Sequence, residues 1–247
     1  MNSNWQYNLY KKLKNKKINK IILPGTHDSG AYQIMTTKTF FSDDLRGDQK
    51  KYNYFRLAAK VLPPVYLIVK HWTITQNKNI YDQLMFGIRS FDLRIFWSQY
   101  KKNWYIGHSI AVNTYKKVIS DFIRFLKSHK NEFVIIQIKR DFENRHTVNK
   151  KVEAFWKYNK SFKEFYKLIW FSKKIPTYED LINSGKRIIM IIHSNLKTDN
   201  KIYNTDKLFV LDNEYVSKWP NTNVLQNSVD AQKRWLKNKI NTTLKMY

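Results

Sequence analysis

The chain has 247 residues, 43% hydrophobic and 16% aromatic, enough for one substantial core and too apolar for global disorder. It has no cysteine, which excludes a disulfide framework and any thiolate chemistry or thiolate metal site. The formal net charge of +26 suits attraction to a polyanion, while abundant lysine, asparagine and isoleucine also fit an AT-rich genomic bias.

Residues 5–18 read as a short helix, with Trp5, Tyr7, Leu9, Tyr10 and Leu13 on its apolar side. Six lysines lie between Lys11 and Lys20, and no apolar stretch of signal-peptide length precedes the first strand. Residues 20–27 predict that strand. It breaks at Pro24-Gly25 and presents His27 and Asp28, followed by Ser29 and Gly30. Residues 33–75 read as an insertion over the site, with an acidic loop at 43–48 and a break at Pro63-Pro64. Its apolar segment, 61–70, is too short to span a bilayer, so no transmembrane helix is expected.

Residues 77–86 predict a helix ended by Gly87. From Ile88 to Phe96 the chain alternates as a strand. Ile88, Ser90, Asp92 and Arg94 share one face, and Arg89, Phe91, Leu93 and Ile95 share the other. Further strands are expected at 104–108, 133–139, 187–193 and 208–212. Helices are expected at 112–129, 148–171, before Ser184-Gly185, and at 224–239. Strands alternating with helices predict a parallel sheet with helices outside it. About five strand–helix steps are legible, fewer than a closed eight-stranded barrel needs. With no repeat and no linker, residues 1–247 read as one domain.

Of the six histidines, His71, His129 and His146 read as structural, whereas His27 and His108 sit at strand ends with glycine nearby. Glycine there would let the backbone come close to a ligand. In-line cleavage of a phosphodiester needs one group to take a proton and another to give one, and histidine does both near neutral pH. Arg94, on the same strand face as Asp92, offers a guanidinium fork that matches two phosphate oxygens.

The segments Leu-Pro-Gly-Thr-His-Asp-Ser-Gly (23–30), Phe-Gly-Ile-Arg-Ser-Phe-Asp-Leu-Arg (86–94) and Tyr-Ile-Gly-His (105–108) resemble the X domain of phosphatidylinositol-specific phospholipase C, closest to its bacterial, metal-independent branch. Thr75-Gln76, the stretch 133–140 and Trp219-Pro220-Asn221-Thr222 fit the same pattern. The resemblance implies an α/β, distorted TIM-barrel-like fold, incomplete at the C-terminus, and a two-histidine mechanism. His27 would be the general base on the inositol 2-hydroxyl. His108, held by Asp28, would be the general acid to the diacylglycerol oxygen. Arg94 would hold the phosphate, Asp92 would support these groups through hydrogen bonds, and Lys139 would lie beside the substrate. Calcium-dependent relatives carry an acidic metal-holding residue at the position of Arg94, so no metal or other cofactor is expected. The bacterial members orient their base with an aspartate from a late strand, not found here before Tyr247. They also have an inositol-binding arginine where this chain has Ile192-His193, a departure that leaves inositol specificity open and His193 to read a different head group.

The implied protein is a phosphodiesterase that cleaves phosphatidylinositol-type lipid at an anionic membrane surface. It would be soluble, peripherally associated and monomeric. The alternative is a catalytically impaired X-domain relative that binds anionic phospholipid. Nucleic-acid binding rests on charge alone, no recognition signature accompanies it, and it is not expected.

Overall fold

The computed structural model describes residues 3–33, 67, 73–98, 102–108, 110–140, 148–172 and 174–192. Towards the C-terminus it describes 226–227, 229–231, 233–234 and 237, all helical. Two units emerge, Met1–Asp212 and Asn213–Tyr247.

The period-two pattern around residue 92 builds β2 (Ser90–Ser98), the strand on which the first unit is organised. Along one edge it pairs in parallel with β5 (Val134–Arg140), with Asp92 level with Gln137 and Arg94 level with Lys139. Its other edge is shared. The two-residue strand β1 (Gly25–Thr26) pairs in parallel at Ser90 and Phe91, and β3 (Asn103–His108) pairs antiparallel from Ile95 to Ser98. β4 (Ile110–Thr114) continues antiparallel to β3, and β6 (Ile188–Ile192) runs parallel to β5. The order is β4-β3-β2-β5-β6, with β1 beside β2.

Phe91, Leu93 and Ile95 point from β2 into the main core. Helix α4 (Tyr115–Ser128) covers them with Val118, Ile119, Phe122, Phe125 and Leu126 at helical spacing. The rings of Phe91 and Phe122 meet edge to face at 5.0 Å. Thr114 caps α4 by accepting from the Lys117 amide. Phe155 of α5 (Val148–Ser161) packs on Trp104 and Tyr115, each at 5.4 Å between centroids. The remaining helices are α1 (Trp5–Asn8), α2 (Tyr10–Leu13), α3 (Ile80–Met85), α6 (Lys163–Leu168) and α7 (Tyr178–Asn183). The last opens with a Thr177–Asp180 capping box.

Several expectations change. The helix expected over 5–18 is two short turns that break at Leu9 (φ −99°, ψ 12°), and the first is tied to the loop before β5: the Tyr7 amide donates to Glu132, and Gln6 Oε1 accepts from the Phe133 amide. The first strand shrinks to two residues, since Pro24 has no N–H and offers only its carbonyl, which the Arg89 and Ser90 amides reach. The sheet is mixed, not parallel, because β2, β3 and β4 follow one another as an antiparallel meander. Residues 110–114, partly assigned to a helix by pattern, are strand β4. Among the described residues the sheet is open, and no helix is long and apolar enough to cross a membrane. The strand expected at 208–212 and nearly all of the 33–75 insertion lie outside the described residues.

Candidate active site

The parallel strands β1, β2 and β5 end their polar faces together, the edge at which open α/β sheets bind ligands. β1 runs directly into His27 and Asp28, while β2 and β5 deliver Asp92, Arg94 and Lys139 at adjacent register positions. Gly25 and Gly30, on either side of His27, are required by packing. A Cβ on Gly25 would sit 3.1 Å from Ser90 Cβ, and one on Gly30 would sit 2.5 Å from Ile106 Cγ2. The loop therefore lies directly on β2 and β3. Asp28 adopts φ 46°, a left-handed conformation that aspartate tolerates better than most residues.

His27 is the centre of the cluster. Its Nε2 lies 2.8 Å from an Arg94 Nη2 and 3.7 Å from Asp92 Oδ2, and its Nδ1 lies 3.4 Å from Asp28 Oδ2. A guanidinium only donates, so Nε2 accepts and the ring proton belongs on Nδ1, facing Asp28. Arg94 Nε pairs with Asp28 Oδ1, and Lys139 Nζ donates to Asp92 Oδ2 at 3.0 Å. Both carboxylates are almost completely buried, Asp28 and Asp92 each at 3% exposure, so two cations facing them are what ionisation in this place requires. Burial holds the His27 imidazole below its ordinary value. Asp28 and Asp92 pull it up, and Arg94 and Lys139 push it further down.

His27, Asp28 and Asp92 each offer a ligand atom, and these lie within 4.8 Å of one another. Arg94 and Lys139 already engage the same three side chains, so a cation there would have to displace them.

Five of the expected site residues are thus brought together: His27, Asp28, Asp92, Arg94 and Lys139. His108 ends β3, opposite Ile110, and the contacts of its side chain, including the expected one to Asp28, lie outside the described residues. His193 also lies outside them. His129 bears out its structural assignment: its ring stacks on Phe125 at 4.0 Å. Gln76, which the resemblance marks only as part of Thr75-Gln76 with no role, and Gln83 and Asn113, which nothing in the sequence marks, all reach the His27 loop.

No family model matches the chain. Two PI-PLC X domain proteins of Dictyostelium discoideum, one described as X-box domain-containing and one as X domain-containing, are 33% and 32% identical over 132 and 126 residues. These matches cover 53% and 51% of this chain but 16% and 20% of those proteins. Mouse PI-PLC X domain-containing protein 2 is 24% identical over 228 residues, 79% of this chain and 65% of that protein. The chain therefore spans less than two thirds of these relatives. Two solved structures of phosphatidylinositol-specific phospholipase C from Staphylococcus aureus share its fold, at TM-scores of 0.51 and 0.52 and 18% and 19% identity. They cover 78% and 89% of this chain, which covers 53% and 60% of them. In sequence the chain is thus similar to PI-PLC X domain proteins, and in fold to bacterial phosphatidylinositol-specific phospholipase C.

Proposed function

We propose that this protein is a metal-independent phosphodiesterase that cleaves phosphatidylinositol-type lipid. The observation that supports it best is His27 held between Asp28, on its Nδ1 side, and Arg94, on its Nε2. Its Nε2 lone pair is the base, and in the free protein Arg94 occupies it. A phosphate diester offers Arg94 a stronger, bidentate partner. As the guanidinium turns to the phosphate, Nε2 is freed to take the proton of the inositol 2-hydroxyl, whose oxygen attacks phosphorus and closes a cyclic phosphate as the bond to the diacylglycerol oxygen breaks. Asp28 then faces the imidazolium that forms and stabilises it. Arg94 and Lys139 offset the negative charge that develops on the phosphate oxygens, as preorganised cations do in a water-poor site. His108, at the end of β3, gives its proton to the leaving diacylglycerol oxygen, and His193 contacts the head group. In this scheme no step calls for a metal or cofactor.

The basic surface concentrates the enzyme on anionic lipid, where its substrate lies. The test is release of water-soluble phosphate ester from phosphatidylinositol vesicles by wild type, His27→Ala and His108→Ala, each also assayed for vesicle binding by sedimentation. Cleavage by wild type alone, with all three proteins bound, is the expected result. Binding without cleavage by wild type would leave an X-domain relative that holds anionic membranes but has lost its chemistry.

A further inference from the structure

The loop that carries His27 is fastened from outside the charged cluster. Every carbonyl from Thr26 to Ala31 accepts a hydrogen bond. Ser29 Oγ donates to Thr26 at 2.8 Å, Gln76 Nε2 to His27 at 2.7 Å, Thr75 Oγ1 to Asp28 at 3.1 Å and Gln83 Nε2 to Ser29 at 2.9 Å. Asn113 Nδ2 donates to Gly30 at 2.9 Å, and the Thr75 and Gln76 amides both reach Ala31. Gln83 is buried, and its Oε1 accepts from the Thr26 hydroxyl at 2.8 Å. Side-chain amides thus grip the backbone on either side of Asp28. A residue at φ 46° keeps that conformation when its surroundings over-determine it.

Gln76 is singular among these groups. It is only half-buried, and its carboxamide bonds the carbonyl of His27 itself. That carbonyl is the anchor from which the ring reaches Arg94 and Asp28. We propose that Gln76 is a positioning residue for His27, acting through the His27 backbone without touching the reacting atoms. The proposal rests on the reading of His27 as the general base. Gln76 and Gln83 lie upstream of β2, so the segment 75–83 works as a brace for the loop 26–31.

The test compares wild type with Gln76→Ala and Gln76→Glu on phosphatidylinositol vesicles. A carboxylate matches the amide in size but cannot donate to a carbonyl, whereas its protonated form can. Both variants are expected to lose roughly 10- to 100-fold in kcat at pH 7.5, the scale of a misplaced catalytic group. KM should stay within about threefold, as for a group that does not bind substrate. The ratio of Gln76→Glu to wild type should climb as pH falls through the ordinary carboxyl range, near about 4.3. Wild-type kcat in Gln76→Ala would overturn the proposal. So would a loss that follows the melting temperature and shows no recovery in Gln76→Glu at low pH.

If wild type itself turns over no lipid, the reading of His27 as a base fails and the brace is read directly. The His27 ring resonances are then compared in wild type and Gln76→Ala by NMR. Displaced resonances support positioning by Gln76, and unmoved ones overturn it.

Discussion

In the proposed mechanism Arg94 plays two parts at His27: it occupies the nitrogen that would act as base, and it helps lower the pKa of the imidazole. Burial is the largest influence lowering the His27 pKa, and Arg94 and Lys139 add to it against the pull of Asp28 and Asp92. A general base must be unprotonated, so the acid limb of the kcat/KM profile should have its midpoint below the ordinary histidine value of about 6.5. Arg94→Gln removes one lowering influence, so its limb should move to higher pH while turnover falls. A limb that stays in place would mean that Arg94 does not touch the base in solution. Stability follows the same sign. The folded state resists protonation of His27, so this group's contribution is complete above the unfolded value and is lost as pH falls towards the folded one.

At the scale of elements, a buried ion pair ties four segments together. Arg89, fully buried at the start of β2, meets Glu132 Oε2 through Nε at 2.9 Å and Nη2 at 2.8 Å. Its Nη1 donates to the carbonyls of Leu84 and Ile88, and its Nη2 also reaches that of Ser3. Glu132 Oε1 takes the Tyr7 amide. Removing one partner strands a buried charge, so Arg89→Leu or Glu132→Ala should each cost about 3–5 kcal/mol in urea unfolding. The double variant Arg89→Leu/Glu132→Leu should recover much of that loss. Additive losses in the double variant would contradict the coupling. The sequence carried the signal for this pair, an arginine on the same strand face as Phe91, Leu93 and Ile95, but nothing in it pointed to Glu132. Strand β2 itself was legible because one face is apolar and the other carries Asp92 and Arg94. Strand β4 was not, because Ile110 to Thr114 is a short apolar run that reads equally well as the opening of α4. His27, Asp28, Asp92, Arg94 and Lys139 were legible as ionisable groups at strand ends. Gln83 and Asn113 were not, and Gln76 was marked only by the Thr75-Gln76 resemblance and without a role, because amides that hold backbone carbonyls leave no charge pattern and acquire their partners only when the chain folds.

For the whole molecule the dominant feature is charge. Lys11, Lys12, Lys16, Lys17 and Lys20 are all exposed within the first twenty residues, and the chain as a whole carries +26. Each lysine near an anionic bilayer contributes about 1 kcal/mol and is screened by salt. Association with phosphatidylserine-containing vesicles should therefore be strong in dilute buffer and largely lost by roughly 0.5 M salt, where the Debye length is only a few ångströms. Binding unchanged by salt, as followed by sedimentation, would show that charge is not what brings the protein to lipid. The central claim is that side-chain cations and a half-buried histidine perform the cleavage without a metal. It is tested most directly by following the water-soluble phosphate product by ³¹P NMR, with phosphatidylinositol vesicles in EDTA and, in parallel, in excess calcium. Equal rates in the two buffers, abolished by His27→Ala, are the predicted result. Turnover that appears only with calcium, or that survives His27→Ala, would contradict it.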